Sequence, residues 1–153
     1  MPAFSVKSKS RLATASSNLQ RLFNVVIMEF DCTVLEGKRS ETKQRENVAR
    51  GVSKTLQSKH VYPLDAPSLA VDVAPYPLQW PDREVQKKAL AGDAAAMNLY
   101  TKQVAMFYAF GGYVKGVADR MGIKIRWGGD WDGDWVFVDQ TFDDLVHFEE
   151  LEA

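Results

Sequence analysis

Two histidines, His60 and His147, and the aspartate Asp72 are the residues whose types and spacing best suit metal chemistry. The chain of 153 residues contains no other histidine, and acidic side chains stand close to both. Catalytic zinc ions commonly take three protein ligands from His, Asp and Glu and leave one position for water. His60, Asp72 and His147 could supply such a set from three separate parts of the chain.

Each histidine also has a plainer interpretation, because an isolated histidine is usually a partly exposed or hydrogen-bonded residue. Asp72 favours the metal hypothesis, since it stands inside the apolar run LAVDVA. Side chains alternate along a strand, so Asp72 faces away from the large apolar residues of that run. A buried carboxylate without a partner is costly, and a metal or a hydrogen-bonded cation is the usual remedy. In VHFEE the same alternation separates His147 and Glu149 from Val146 and Phe148.

The short motifs of several common enzyme classes are absent from the sequence. It contains no HExxH, GxSxG, Walker loop or GxGxxG, so a site has to come from residues that are distant along the chain. Cys32 is the only cysteine, which excludes an internal disulfide and a cysteine-rich zinc site. We expect Cys32 to be a small buried hydrophobic residue.

The elements that must position these residues predict an α+β protein with a small antiparallel sheet and flanking helices. Helical spacing of apolar residues predicts a helix over 10–29, capped by Ser8 or Ser10. A strand ending at Gly37 and a polar helix between Ser40 and Gly51 follow. The remaining predicted elements are a loop over 52–67, a strand over 68–74, a core helix over 97–121 and strands in IKIRWGG and VHFEEL.

Two adjacent glycines, Gly111 and Gly112, interrupt the predicted core helix. Each costs roughly 1 kcal/mol relative to alanine inside a helix. We therefore expect a close backbone approach or a kink at this point.

Composition and charge limit the classes of partner. Hydrophobic residues make up 46% and charged residues 25% of the sequence, which is typical of a soluble protein and predicts one domain over 1–153. A net charge of −1 gives no positive field for nucleic acid. The longest apolar run, LFNVVIM, is far shorter than the roughly 20 residues of a membrane span. Because the start lacks the apolar run of a signal peptide, we expect the protein to stay in the cytoplasm after synthesis.

Several motifs together resemble the zinc D-alanyl-D-alanine carboxypeptidase family. SKH is followed by LAVDVAP, and a late DxxHxE spans Asp144 to Glu149. Within that family the chain is most similar to the bacteriophage L-alanyl-D-glutamate endopeptidases, endolysins that cut peptidoglycan stem peptides. The resemblance extends from Leu12 to Leu151 and includes EGKRS and RWGGDW. It implies a Hedgehog/DD-peptidase-like zinc peptidase fold and a monomer that is released from the host cytoplasm to act on the cell wall.

The resemblance also implies roles for individual residues. His60, Asp72 and His147 correspond to the zinc ligands, and Asp144 corresponds to the catalytic base. Arg39, in EGKRS, corresponds to the arginine that binds the substrate carbonyl and steadies the tetrahedral intermediate. A surface ion pair is the alternative role for this arginine.

Two further residues, Ser58 and Glu149, and one enlarged loop belong to the same comparison. Ser58, in SKH, is implied in substrate binding. Glu149 is expected to orient a histidine, although it could be a plain charge at the rim of the site. Asp72 follows His60 by twelve residues, farther than in the family's usual pattern. The loop 61–68 is therefore enlarged, and the resemblance does not define the shape of the pocket wall there.

Alternative functions follow from the same residues. A carboxypeptidase or dipeptidase acting on terminal D-Ala-D-Ala is the enzymatic alternative. A zinc-stabilised cell-wall-binding domain without catalysis is the alternative from another class. The presence of both Asp144 and Arg39 favours an enzyme, because a structural zinc site needs neither a base nor an oxyanion partner.

An acidic loop raises the possibility of a second cation. Asp130, Asp132 and Asp134 alternate around Gly133, and Asp139 follows five residues later. Calcium prefers several oxygen ligands at short spacing with a glycine at the turn, although this loop is shorter than an EF-hand loop. The alternative is a solvated acidic turn. If calcium binds, ordering of the loop could position the catalytic residues that follow it.

Overall fold

A four-stranded antiparallel sheet and five helices form the fold in the computed structural model, which describes residues 1–152. The predicted α+β class with a small antiparallel sheet is confirmed. The helices are α1 Val6–Leu12, α2 Ser17–Val26, α3 Glu41–Ala49, α4 Arg83–Leu90 and α5 Ala94–Arg120. The strands are β1 Cys32–Glu36, β2 Ala70–Pro75, β3 Ile125–Gly128 and β4 Asp144–Glu150, in the order β1-β2-β4-β3.

The pairing of β2 with β4 places two of the predicted ligands side by side. Asp72 is the direct partner of His147 in this antiparallel ladder. Residues directly opposite each other on adjacent strands project from the same face of a sheet. The register alone therefore brings these two side chains together.

The opposite face of the sheet carries the hydrophobic core. Phe148, the neighbour of His147 on β4, lies edge to face with Phe23 of α2 and Phe110 of α5, at ring distances of 5.4 and 5.9 Å. All three rings are fully buried. Burial of these rings against two helices fixes which face of β4 is apolar, so His147 must point to the other face.

Helix α5 runs unbroken through the two glycines, which resolves the choice between a kink and a close approach. A Cβ atom at Gly111 would lie 2.3 Å from the indole ring of Trp127. Glycine is therefore required at this position because the ring packs directly on the helix backbone. Among residues 1–152, no helix is both long and apolar enough to cross a membrane.

The prediction of one helix over 10–29 is wrong, because this segment contains parts of two helices. The chain leaves the helical conformation after α1, and Ser16 caps α2 by accepting the N–H of Leu19 at 3.3 Å. The backbone N–H of Ser16 donates to the carbonyl oxygen of Ser68. Ser5, not Ser8, caps α1. Ser8 lies inside α1, where its buried hydroxyl accepts the backbone N–H of Val34. The apolar stripe is real, but two short helices share it.

The other predicted elements are present, and one helix was missed. Ser40 caps α3, and Gly51 follows its end with a φ of 73°. Helix α4 was not predicted, although Asp82 after a proline is a helix-start signal. The Asp82 carboxylate accepts the N–H groups of Glu84 and Val85 at 2.8 and 3.0 Å.

Candidate metal centre and active site

Three side chains from three elements converge on one point. His60 comes from the loop before β2, Asp72 from β2 and His147 from β4. His60 Nε2 lies 3.1 Å from Asp72 Oδ1 and 3.3 Å from His147 Nδ1, and the latter two atoms are 3.3 Å apart. Two nitrogens and one oxygen within 4.8 Å of one another could hold a metal ion. The donor set is one that zinc accepts.

Both histidine rings are oriented by a partner outside this group. His60 Nδ1 lies 2.8 Å from the carbonyl oxygen of Gly37, which can only accept. The Nδ1 atom must therefore carry the proton, and Nε2 is free to face the group. His147 Nε2 lies 2.9 Å from Glu149 Oε2, which leaves Nδ1 for the group. Such outer partners are typical of histidine ligands.

Glycine at position 37 lets this carbonyl reach His60. A Cβ atom there would lie 2.2 Å from Thr14 Oγ1 and 2.4 Å from the carbonyl oxygen of Arg11. A larger residue would therefore push the loop away from the end of α1. The loop carries the carbonyl that orients His60, so the tight packing here extends to the site.

Hydrogen bonds within and around the group shift the pKa values of His147 and Asp72. Burial lowers the pKa of His147, but hydrogen bonds with Asp72 and Glu149 outweigh burial and raise it to about 9. Burial raises the pKa of Asp72, but hydrogen bonds from His147 and His60 hold it well below its usual range. A cation bound by the three residues would displace the proton from His147, so binding would release protons.

Glu149 is a buried carboxylate with three cationic neighbours. It accepts from His147, accepts the Nε–H of Arg126 at 2.8 Å and lies 3.7 Å from Lys59 Nζ. Burial alone would raise its pKa, but the hydrogen bond with His147 and the nearby positive charges lower it to about 2. Its geometry is that of a residue that orients His147.

Asp144 reaches the same pocket through an irregularity in the sheet. A regular strand would place Asp144 and His147, three residues apart, on opposite faces. The β3–β4 ladder breaks its register here: Trp127 pairs with Phe148, whereas Gly128 pairs with Asp144. Both Asp144 and His147 therefore line the pocket. A Cβ atom at Gly128 would lie 2.1 Å from the carbonyl oxygen of Asp144, so only glycine permits this pairing.

Burial and the nearby charge of Asp72 raise the pKa of Asp144, against the opposing influence of the histidines and Arg39. Its neighbour Asp143 differs in surroundings. Asp143 is exposed and accepts a hydrogen bond from Gln140 at 2.6 Å. The two adjacent aspartates therefore differ in burial, and of the two only Asp144 lines the pocket.

Arg39 belongs to a half-buried network that includes an ion pair with Glu36. Its guanidinium donates twice to Glu36, at 2.8 and 2.6 Å, and once to Gln44 at 2.6 Å. Nη2 also lies 3.9 Å from Asp72 Oδ2. Burial would lower the Arg39 pKa, but the Glu36 hydrogen bonds and the surrounding carboxylates raise it. Three of the five N–H groups of the guanidinium are used in these bonds.

Ser58 lies buried in the pocket wall, where it organises the turn that carries His60. Its hydroxyl accepts the backbone N–H of His60 at 3.2 Å. Its carbonyl accepts the N–H groups of Val61 and Tyr62, both at 3.0 Å. The seven residues proposed for the site from sequence all line one pocket of about 350 Å³: Arg39, Ser58, His60, Asp72, Asp144, His147 and Glu149.

An aromatic wall completes this pocket and was missed by sequence reasoning. The Trp131 ring lies 5.6 Å from the His147 ring and stacks on Phe142 at 6.1 Å. The Trp131 indole N–H donates to the carbonyl of Phe142 at 2.8 Å. Lys54 Nζ lies 4.5 Å from the centre of the Phe142 ring. The signal in the sequence was the presence of large aromatic residues in a polar loop.

The ammonium group of Lys38 bridges three carbonyl oxygens of the enlarged loop 61–68. Lys38 Nζ donates to the carbonyl oxygens of Val61, Pro63 and Ala66, at 2.7, 2.5 and 2.8 Å. Burial lowers the pKa of this lysine. One side chain next to Arg39 therefore secures the loop that leaves His60.

The acidic loop brings together three of its four predicted calcium ligands. Oxygens of Asp130, Asp132 and Asp134 lie within 4.8 Å of one another, whereas Asp139 lies outside this group. Asp130 is buried, and its carboxylate is paired with the Lys115 ammonium. It also accepts two backbone N–H groups, at 3.1 and 3.2 Å. A lysine therefore already neutralises the best-buried carboxylate of the loop.

Comparisons with known proteins identify a matching family and two relatives. Residues 2–99 match the family described as phage L-alanyl-D-glutamate peptidase. The L-alanyl-D-glutamate peptidase of Escherichia phage T5 is 25% identical over 145 residues, covering 90% of this chain and 87% of that protein. The crystal structure of the Serratia marcescens L-Ala D-Glu endopeptidase ChiX superimposes with a TM-score of 0.65 and 23% identity, covering 98% of this chain and 91% of that one. This structural likeness establishes a shared fold.

Proposed function

Because the chain belongs to the phage L-alanyl-D-glutamate peptidase family, we propose that it is a zinc-dependent endolysin that hydrolyses the L-alanyl-D-glutamate bond of peptidoglycan stem peptides. The observation that carries the proposal is the convergence of His60, Asp72 and His147 beside Asp144 in one pocket. We further infer that residues 1–153 act as one catalytic unit and as a monomer.

The metal group, Asp144 and Arg39 each have a chemical task in this proposal. His60, Asp72 and His147 would hold a zinc ion, which would supply Lewis acidity beside the attacked carbonyl. Asp144, with its raised pKa, takes a proton from the attacking water and passes it to the amine of the departing D-glutamate. The new C–O bond forms first and gives a tetrahedral intermediate, and the C–N bond then breaks as its nitrogen receives the proton. Arg39 places positive charge where the carbonyl oxygen becomes negative, an effect often worth several kcal/mol.

Metal analysis tests the ligand set. Purified protein should contain about one zinc ion per chain, as expected for a three-ligand catalytic site. His147→Ala should reduce both the zinc content and the lysis of permeabilised Gram-negative cells, measured as loss of turbidity. Full lytic activity in a metal-free His147→Ala protein would exclude the proposed centre.

The role of Asp144 is tested against its neighbour Asp143. Asp144→Asn should retain zinc and fold but lose on the order of 100-fold in rate, as for the loss of a general base. Asp143→Asn is the matched control, because Asp143 is exposed and bonded to Gln140. Equal losses in the two variants, or a larger loss for Asp143→Asn, would show that the base is assigned incorrectly.

The bond that is cut distinguishes the proposed endopeptidase from its alternatives. Mass spectrometry of digested peptidoglycan should reveal peptides with a new amino terminus on D-glutamate. Release of free D-alanine alone would identify a carboxypeptidase. Binding to peptidoglycan without any cleavage would identify a zinc-stabilised binding domain.

We infer, by analogy with its family, that this protein is made inside the host and is then released to the cell wall. Added protein should therefore lyse Gram-negative cells after outer-membrane permeabilisation and leave intact cells turbid. Sedimentation should give a monomer mass. A dimer in this experiment would refute the inferred oligomeric state without affecting the reaction.

Calcium binding by the acidic loop stays a prediction. Asp132 and Asp134 are exposed and could bind a cation, while Asp130 is shared with Lys115. Calorimetric titration of the zinc-loaded protein should show calcium binding that Asp132→Ala weakens, together with calcium-stimulated lysis. Absence of both effects would identify a solvated acidic turn.

A further inference from the structure

One cation in the pocket is not offset by any carboxylate of residues 1–152. Four cationic side chains line the pocket: Arg39, Lys54, Lys59 and Arg126. Glu36 binds Arg39, while Glu149 binds Arg126 and lies close to Lys59. Lys54 makes no ion pair and no side-chain hydrogen bond with residues 1–152. Its positive charge is therefore available to a ligand.

Lys54 lines the same pocket as the metal group and contacts its aromatic wall. It comes from the loop after α3, and its ammonium lies over the Phe142 ring, which belongs to the loop before β4. Phe142 stacks on Trp131, which in turn contacts His147. A ring face attracts an ammonium but takes up only one side of it, so Lys54 keeps N–H donors for an anion.

The substrate of the proposed function carries an anion beside the bond to be cut. The amino group of D-glutamate forms the scissile amide, and its γ-carboxyl continues the stem peptide. The α-carboxyl group is therefore free, and a single carbon atom separates it from the scissile nitrogen. A peptide with its scissile carbonyl at the metal group would hold this carboxylate inside the pocket that Lys54 also lines. In cell walls with D-isoglutamine the same group is an uncharged amide.

We propose that Lys54 binds the free α-carboxylate of D-glutamate and makes the enzyme select D-glutamate over D-isoglutamine in the stem peptide. This assignment rests on the proposed function. The ammonium attracts a carboxylate by charge and by hydrogen bonding, whereas an amide offers it only a neutral carbonyl oxygen. Loss of one hydrogen bond between charged groups corresponds to a decrease of about tenfold in kcat/KM.

Two synthetic peptides test this selection. One is acetyl-L-alanyl-D-glutamyl-L-lysine, in which the γ-carboxyl of D-glutamate is joined to lysine. In the other peptide the α-carboxyl of D-glutamate is replaced by an amide. The zinc-loaded full-length enzyme should prefer the carboxylate peptide by about tenfold. Lys54→Met keeps a long apolar stem over the Phe142 ring and should cleave both peptides at the rate of the wild type on the amide. Lys54→Arg should retain the preference, and Lys87→Met, on exposed α4, should match the wild type.

The outcomes separate this inference from the function on which it rests. Wild-type enzyme that cleaves neither peptide between L-alanine and D-glutamate would overturn the proposed function and the inference together. Wild-type preference that persists in Lys54→Met, or a wild type without preference, would overturn the role of Lys54 alone. A purely structural role would lower cleavage of both peptides equally and leave their ratio unchanged.

Discussion

Replacing Lys115 with methionine should destabilise the protein through the carboxylate that it leaves behind. The Asp130 side chain is fully buried, and only 14% of the Lys115 side chain is exposed. Removing one partner of a buried ion pair costs about 3–5 kcal/mol. Asp130 retains its two backbone N–H donors, so we expect a loss near the lower limit, about 3 kcal/mol. The contact of Lys115 Nζ with the Trp135 ring, at 3.5 Å, is lost as well.

Thermal unfolding at pH 7 measures this loss directly. For a protein of this size each kcal/mol shifts Tm by roughly 2–4 °C, so Lys115→Met should unfold about 6–12 °C below the wild type. The ion pair lowers the pKa of Asp130 in the folded state. Its contribution is therefore present above the unfolded pKa of about 3.9 and is lost as the pH falls through the folded pKa. The difference between variant and wild type should shrink below about pH 4.

Two variants control this experiment. Lys87→Met removes an exposed pair with Glu84 and should change the free energy of unfolding by less than about 0.5 kcal/mol. The double variant Lys115→Met/Asp130→Asn no longer buries an unpaired charge and should recover part of the loss. If Lys115→Met costs less than about 1 kcal/mol at pH 7, Asp130 is not dependent on its lysine and the reasoning from burial fails.

Three further predictions concern Gly128, Lys38 and Cys32. Gly128→Ala adds a Cβ atom 2.1 Å from the carbonyl oxygen of Asp144, so kcat in peptide cleavage should fall by about 100-fold while zinc content is kept; unchanged kcat would mean that the strands yield without moving the base. Lys38→Met removes three hydrogen bonds from loop 61–68, and limited proteolysis should then cut this loop first, whereas an unchanged digestion pattern would show that the loop holds itself. Burial raises the pKa of Cys32 to about 12, so iodoacetamide at pH 8 should label it only in urea-unfolded protein, as mass spectrometry would show; rapid labelling of the native protein would contradict its burial.

The alternation of polar and apolar residues was sufficient to predict the strand faces on which Asp72 and His147 lie. Asp72 and His147 each stand within an apolar strand, and burial of the neighbouring side chains determines which way they point. Direct pairing of the two residues depends on the register of strands that are distant in the sequence. Periodicity contains no such information, so the sequence placed both side chains on polar faces without showing that they meet.

Other parts of the site could not be predicted because they depend on tertiary contacts. The irregular pairing at Gly128, which turns Asp144 toward the pocket, results from packing between two strands. The network around Arg39 requires Glu36 and Gln44, which come from a strand and a helix. The division of the first predicted helix at Ser16 likewise reflects a contact with a distant loop. Gly128 and Ser68 are distant in the sequence from Asp144 and Ser16, whereas the partners of Arg39 are only three and five residues away and are brought to it by the turn between β1 and α3.

The position of β4 between β2 and β3 has a consequence for the timing of activity during synthesis. It is the last strand of the described chain, yet it is inserted between two earlier strands. A ribosome therefore produces His60 and Asp72 long before the strand that brings His147. Throughout that interval the nascent chain contains only part of the proposed metal centre, and the edge of β2 lacks β4 as its partner. The proposed peptidase would thus gain its chemistry only when β4 pairs with β2.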